Sequence, residues 1–284
     1  MCPKLAILAT ALTLTSALTL TSALALASAP AVAAPRRAPA IATAAARPDA
    51  QTATASVKAT PQERAEADRL DPLARATFWA KQFDIDPRDA EAGVKLAAAL
   101  RELGRYDQAQ SAAEQVLVVQ PDNLDALLES ARARVAQGQG FYAIEPARRA
   151  EALAPRDWRP VALLAVALEQ SDRDDEALAA HLKALSLAPD NAATLSNLGL
   201  FYATHGEPAR AEPLLRQAAS APGATAQERQ NLALVLGMEG RFDAAERLER
   251  QDLPPDVVAS NLAYLRAAAA PAPTRSWASV EAAR

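Results

Sequence analysis

The chain has 284 residues, a formal net charge of −4, one Cys, nine Gly, 4% aromatic residues and 74 Ala. So much Ala beside so few aromatic side chains favours helix and argues against a sheet-built enzyme core, because Ala has the best helix propensity and strands favour bulky, stiff side chains. The mild acidic balance, without basic runs, lacks the positive footprint of a nucleic-acid binder, and 50% hydrophobic with 23% charged residues fits a folded chain.

The first predicted element is an export signal. Lys4 is the only charge before Arg36, and Leu5 to Ala29 is an unbroken run of small and apolar residues with Thr and Ser. A short positive start, an apolar stretch and an Ala31-Val32-Ala33 cleavage site describe a secretory signal over residues 1–33 and predict an exported, periplasmic protein. The competing reading is a retained membrane anchor, since the run is long enough for a span of ~20 residues. Cys2 lies ahead of the apolar run, so no lipid-attachment Cys is recognised, and cleavage leaves a chain without thiols that packing alone must hold together. Residues 34–61, with Pro35, Pro39, Pro48 and Pro61 but few large apolar side chains, read as a disordered Ala/Pro/Thr linker.

Beyond the linker the sequence repeats. Pro87, Pro121, Pro155 and Pro189 are spaced 34 residues apart, as are Gly104, Gly138, Gly206 and Gly240, with Asp172 in the one missing Gly place. Ala109, Ala143, Ala177, Ala211 and Ala245 form a third grid, and Ala97, Ala131, Ala165, Gly199 and Ala233 a fourth. The shared period divides the chain into units 90–123, 124–157, 158–191, 192–225 and 226–259, each a first helix ended by the Gly column, or Asp172, and a second helix stopped by Pro or its counterpart, with unit five losing its Pro. The small columns sit where antiparallel helices approach closely. Leu96, Leu164, Leu198 and Leu232 on first helices and Leu117, Leu153 and Leu185 on second ones are expected in a continuous core. A half unit precedes the array at Arg75 to Pro87, containing Phe78, Trp79 and Phe83. A capping helix over 254–269, carrying Val257, Val258, Leu262 and Leu265 with Asp256 in its first turn, closes a domain spanning 62–269; residues 270–284, with Trp277, form a frayed tail.

Chemistry is scarce. His181 and His205 are the only histidines, no catalytic or phosphate-binding motif occurs, and no cofactor or metal is expected. His181 shares a column with Ala113, Ala147 and Leu215 and is expected to pack inside; His205 precedes Gly206 at a helix end, where partial positive charge suits the dipole. Too few residues remain outside the repeats to build a catalytic domain, so the chain reads as a scaffold rather than an enzyme.

A 34-residue helix-turn-helix unit with these small and Pro columns resembles the tetratricopeptide repeat (TPR) family. The resemblance implies an all-α fold, a right-handed α-solenoid of antiparallel helix pairs that binds a protein or peptide segment in a concave groove lined by the first helices. It places Val94, Leu128, Arg132, Val166, Leu200, Gln230 and Leu234 in that groove, with Asn197 and Asn231 one step from its Ser196 and Gln230 positions. Leu200 and Leu234 have a second reading, as core residues shared between units. The groove lacks the Lys and Asn cluster that clamps a carboxylate and suits an amphipathic or hydrophobic segment, neither nucleic acid nor a small-molecule substrate. The stretches 229–237, 240–246, 252–255 and 261–266 are further similar to the C-terminal part of the TadD family of the tight-adherence (Tad, or Flp) pilus machinery. That similarity implies an assembly factor associated with the outer membrane, with the outer-membrane secretin as partner; the alternative is a general periplasmic TPR scaffold or chaperone in envelope assembly.

Overall fold

The computed structural model describes residues 57–269. The expected export signal 1–33, most of the linker and the tail 270–284 lie outside them. The described residues form thirteen helices and no strand: α1 (Pro61–Ala67), α2 (Pro72–Ile85), α3 (Ala90–Glu102), α4 (Tyr106–Val119), α5 (Leu124–Ala136), α6 (Gly140–Leu153), α7 (Trp158–Glu169), α8 (Asp174–Leu187), α9 (Ala192–Thr204), α10 (Pro208–Ser220), α11 (Ala226–Met238), α12 (Phe242–Glu249) and α13 (Pro255–Ala269). None is long and apolar enough to cross a membrane. Consecutive helices pack on each other through the array, the arrangement of an α-solenoid.

Local chemistry sets both ends of every first helix. Asp89, Asn123, Asp157, Asn191 and Thr225, again 34 residues apart, are N-caps whose side-chain oxygens accept from backbone N–H groups of the first turn, at 2.9 Å from Arg159 and 3.0 Å from Ala92, Ala126 and Ala193. Each such cap contributes about 1 kcal/mol. At the other end the Gly column has φ between 71° and 80°, and Asp172 follows it at φ 55°. The same closing bond recurs five times: the N–H groups of Arg105, Gln139, Arg173, Glu207 and Arg241 donate to the carbonyls of Leu100, Arg134, Leu168, Tyr202 and Leu236 at 2.8–3.0 Å. This is the Schellman closure, which needs a left-handed residue.

The small columns lie where the helices meet. Ala97, Ala131, Ala165 and Ala233 are fully buried, as are all five Ala from Ala109 to Ala245. Unit four has Gly199 in this column for a specific reason. A Cβ there would stand 2.7 Å from Cγ of Leu215, whereas units one and two place Ala113 and Ala147 opposite. Leu164, Leu198 and Leu232 are buried, and Leu96, Leu117 and Leu185 half-buried. Leu153, expected in the core, is 46% exposed. It is the last residue of α6 and shares a register with Val119 and Leu187, two positions beyond the Leu117 and Leu185 column.

Both ends are covered. Val258, Leu262 and Leu265 of α13 are buried against the fifth unit. At the start, the half unit α2 buries Trp79 and Phe83, and α1 precedes it. Thr60 and Glu63 form a capping box that starts α1, and Ala59 donates its N–H to buried Gln82 at 2.8 Å, so Ala59 and Thr60, read above as linker, are placed by these bonds and Pro61 is the first residue of α1. Arg64 of α1 pairs with Asp89 and, at 2.6 Å, with Glu91, and its guanidinium lies 5.5 Å from the Trp79 ring centre.

Candidate functional site

Each first helix touches the first helix of the next unit, from α3 through α5, α7 and α9 to α11, so these five helices form one continuous row. Positions equivalent by the 34-residue period therefore stand side by side along it. The groove residues expected from the sequence all fall on this row, at different depths.

The deepest is Leu128, fully buried in a cluster with Leu127 and Ala150. Its assignment to the groove surface is thus corrected: it is enclosed in this cluster, against which Leu117 of α4 and Leu163 of α7 also pack. Val94 is half-buried and packs onto the cluster of Trp79, Phe83 and Val116, so it belongs more to the wall than to an open face. Val166, Leu200 and Leu234 are all half-buried and occupy one column across α7, α9 and α11. Leu200 packs against the shared core, as its second reading expects; Val166 and Leu234 are not among the side chains packed there.

The polar residues are mostly engaged with each other. Asn231 donates to Ser196 Oγ at 2.8 Å and accepts from Gln227 Nε2 at 2.9 Å, tying α11 to α9. Gln230 and Asn197 are half-buried beside it. Arg132 donates to Glu129 Oε1 at 2.5 Å, and Arg101 from α3 donates to Oε2 of the same carboxylate at 2.9 Å. Glu129 is only 6% exposed while the two arginines that share it are each about 30% exposed. Asp157, just before α7, is held below the ordinary carboxylate range by Arg159 at 2.6 Å. Arg132 adds to that effect from further away.

The row therefore changes character along its length. Units one and two present paired charges. From Val166 to Leu234 it presents an apolar column flanked by amides, with no Lys, Arg, Asp or Glu at the equivalent positions Ala162, Ser196, Gln230, Leu163, Asn197 and Asn231. An apolar strip with neutral hydrogen-bonding neighbours can take up the side chains of a partner segment and bond its backbone, as helix and strand recognition both require.

His181 is 1% exposed, with Nε2 3.5 Å from Glu169 Oε2 and its ring 5.4 Å from Phe201. His205 ends α9, its Nδ1 2.7 Å from the Phe201 carbonyl and its ring stacked on Phe201 at 4.0 Å. Both are built into the junction of units three and four. Among the described residues no group of three or more His, Cys, Asp or Glu side chains is placed to hold a metal ion.

Two features of the opposite side were not anticipated. Phe141 and Tyr142, at the start of α6, are 71% and 60% exposed in columns that other units fill with Asp107, Asp175, Gln108 and Glu176. A cleft of about 750 Å³ opens between α2 and α4, floored by Ala76, Phe83, Leu96 and Leu100. Comparing equivalent columns between units would have pointed to both.

The paired helices, the closing bonds and the continuous row define the class, an α-solenoid whose repeat is 34 residues. Residues 90–123 and 191–221 each match a family model described as tetratricopeptide repeat. Two of the five equivalent units are thus matched as tetratricopeptide repeats, within an array of one fold. The chain is similar to the crystal structure of a thermophilic TPR protein of Thermus thermophilus, with 26% identity over 62% of this chain and 98% of that one and a TM-score of 0.56. A tetratricopeptide repeat protein of Parabacteroides merdae matches at a TM-score of 0.60 with 15% identity, over 73% of this chain and 85% of that one. No curated protein matches the sequence. Proteins of this type are generally non-catalytic scaffolds that bind protein or peptide partners.

Proposed function

We propose that the chain is a non-enzymatic scaffold that acts in the periplasm as an assembly factor of the Tad/Flp pilus secretion system, with the outer-membrane secretin as its partner. The observation that carries the reading is the run from Arg229 to Arg266, whose residues resemble the TadD family and which packs as one piece. Arg229 forms a two-pronged pair with Asp252 at 2.6 and 2.7 Å, and this lowers the Asp252 carboxyl pKa. Leu253-Pro254-Pro255 then turns the chain into α13, and Asn261 of α13 donates to Glu249 at 3.3 Å. Export is supported by the layout of residues 1–33. Attachment at the outer membrane comes through the client rather than a lipid, since no Cys follows the apolar run. On this reading the Val166, Leu200 and Leu234 column holds an apolar segment of the secretin subunit before it joins its ring.

Deleting the coding region in the parent bacterium tests this directly. The expected outcome is loss of heat-resistant secretin multimers and of surface pili, with secretin transcript unchanged. Normal multimers and pili in the deletion strain would remove the pilus role and leave a general envelope scaffold as the reading.

A further inference from the structure

The outer side of the array, made by the second helices, carries one groove that is filled and a preceding one that is open. Between α4 and α6, Arg134 reaches out from α5, donates to Glu114 at 2.5 Å and lies 5.7 Å from the Tyr142 ring centre. An acid, a guanidinium and an aromatic ring together close that groove. Moving back 34 residues from Glu114, Arg134 and Tyr142 gives Ala80, Leu100 and Gln108. All three line the cleft of about 750 Å³ between α2 and α4. The same fold position is thus missing all three groups that fill its neighbour, and what remains is an apolar floor with Lys81, Asp84, Arg105 and Asp107 around it, Asp107 already accepting from Gln137 at 2.7 Å.

The tail beyond α13 carries all three kinds of missing group. Of its residues 270–284, Trp277 is the only aromatic, Arg275 stands two positions before it and Glu281 four after it. We propose that the tail of one copy docks in the α2–α4 cleft of a second copy. Trp277 lies over Leu96 and Leu100, in the place that Tyr142 and the stem of Arg134 take one unit later. Arg275 pairs with Asp84, one helical turn beyond Ala80 on α2, and Glu281 faces Lys81 and Arg105. Each tail charge thus has a charge of opposite sign in the cleft lining to pair with. The contact joins two copies, because helix order separates the cleft from α13 by the whole array of five units. It joins unlike surfaces, so it extends head to tail into open chains unless the rotation happens to close a ring.

The test uses sedimentation of the purified chain over a wide concentration range, with two variants that interrupt opposite halves of the contact. Trp277→Ala removes the anchor, and Gln108→Tyr fills the cleft with the ring that Tyr142 supplies next door. Gln108 is exposed, and far-UV circular dichroism checks that both variants keep their helix content. The unaltered chain is expected to self-associate with rising concentration, and each variant to associate at least tenfold more weakly. Mixing the two variants restores association but stops it at a one-to-one pair, because each supplies the half that the other lacks. An unaltered chain that stays monomeric, a Trp277→Ala chain that associates as well as the original, or a mixture that fails to pair would each overturn the proposal.

Discussion

Replacing Asp172 with Gly should stabilise the third unit. Asp172 occupies the left-handed position that ends α7 at φ 55°, in a column where the other four units have Gly. For an L-residue this conformation costs roughly 1–2 kcal/mol, at the lower end for Asp. Gly removes that cost but adds freedom to the unfolded chain, which returns about 0.4–1 kcal/mol. The net gain is about 0.5 kcal/mol. Nothing is lost in exchange: Asp172 is exposed, and among the described residues its side chain makes no hydrogen bond or ion pair. The reciprocal change, Gly104→Ala, should cost about 1 kcal/mol. A Cβ at Gly104 would meet nothing within 4 Å, so that cost is backbone strain alone. Repeat arrays can open unit by unit, so the direct assay is amide hydrogen exchange, read separately for residues 158–187 and for the other units. Slower exchange in unit three of the Asp172→Gly chain, and faster exchange in unit one of the Gly104→Ala chain, are the expected results. Unchanged or faster exchange in unit three would refute the strain argument.

Three further perturbations follow from the packing. Gly199→Ala should cost about 1–3 kcal/mol because its new methyl meets Leu215, and adding Leu215→Ala should recover part of the loss, which a double-mutant cycle by urea unfolding measures. Glu249 is 5% exposed with Oε2 unpaired, and burial raises its pKa. The folded state therefore binds this proton more tightly than the unfolded state, so its contribution favours folding at acid pH and is lost as pH rises through the folded pKa. Glu249→Gln should stabilise the α12–α13 end at neutral pH by about 1 kcal/mol and flatten the fall in stability above the ordinary carboxylate range, both read from denaturation at a series of pH values. Arg64→Ala removes the pairs to Asp89 and Glu91 and the cover over Trp79; loss of about 2 kcal/mol local to α1 and a red shift of tryptophan fluorescence are expected.

The array was legible because its determinants are local and periodic. Ala90, Leu124, Trp158, Ala192 and Ala226, taken from the 34-residue grid as unit starts, are the first residues of α3, α5, α7, α9 and α11. Gly and Pro act within a turn or two of where they stand, so their spacing reports helix ends without knowledge of the neighbours. The cap column from Asp89 to Thr225 was equally readable but is easily missed, because it alternates among Asp, Asn and Thr. Helix α1 was hidden by its surroundings. Its Thr60-Pro61-Gln62-Glu63 capping box lies at the end of an Ala, Pro and Thr stretch whose composition reads as linker. Depth was the harder quantity. Periodicity assigns Leu128 and Val166 to helix faces but not how far a neighbouring helix covers each, and Leu128 proved buried while Val166 stayed half-open. The α2–α4 cleft escaped for a related reason: it exists through what Ala80, Leu100 and Gln108 lack relative to residues one unit later.

The central claim is that the inner row from Val166 to Leu234 holds the partner. Site-specific photo-crosslinking in the parent bacterium tests it most directly, with a photoreactive amino acid placed singly at Val166, at Leu234 and at outward-facing Val118, which is 83% exposed. The account expects one adduct, containing the secretin subunit, from Val166 and Leu234 and none from Val118. Secretin adducts from Val118 alone, with none from the inner positions, would contradict it.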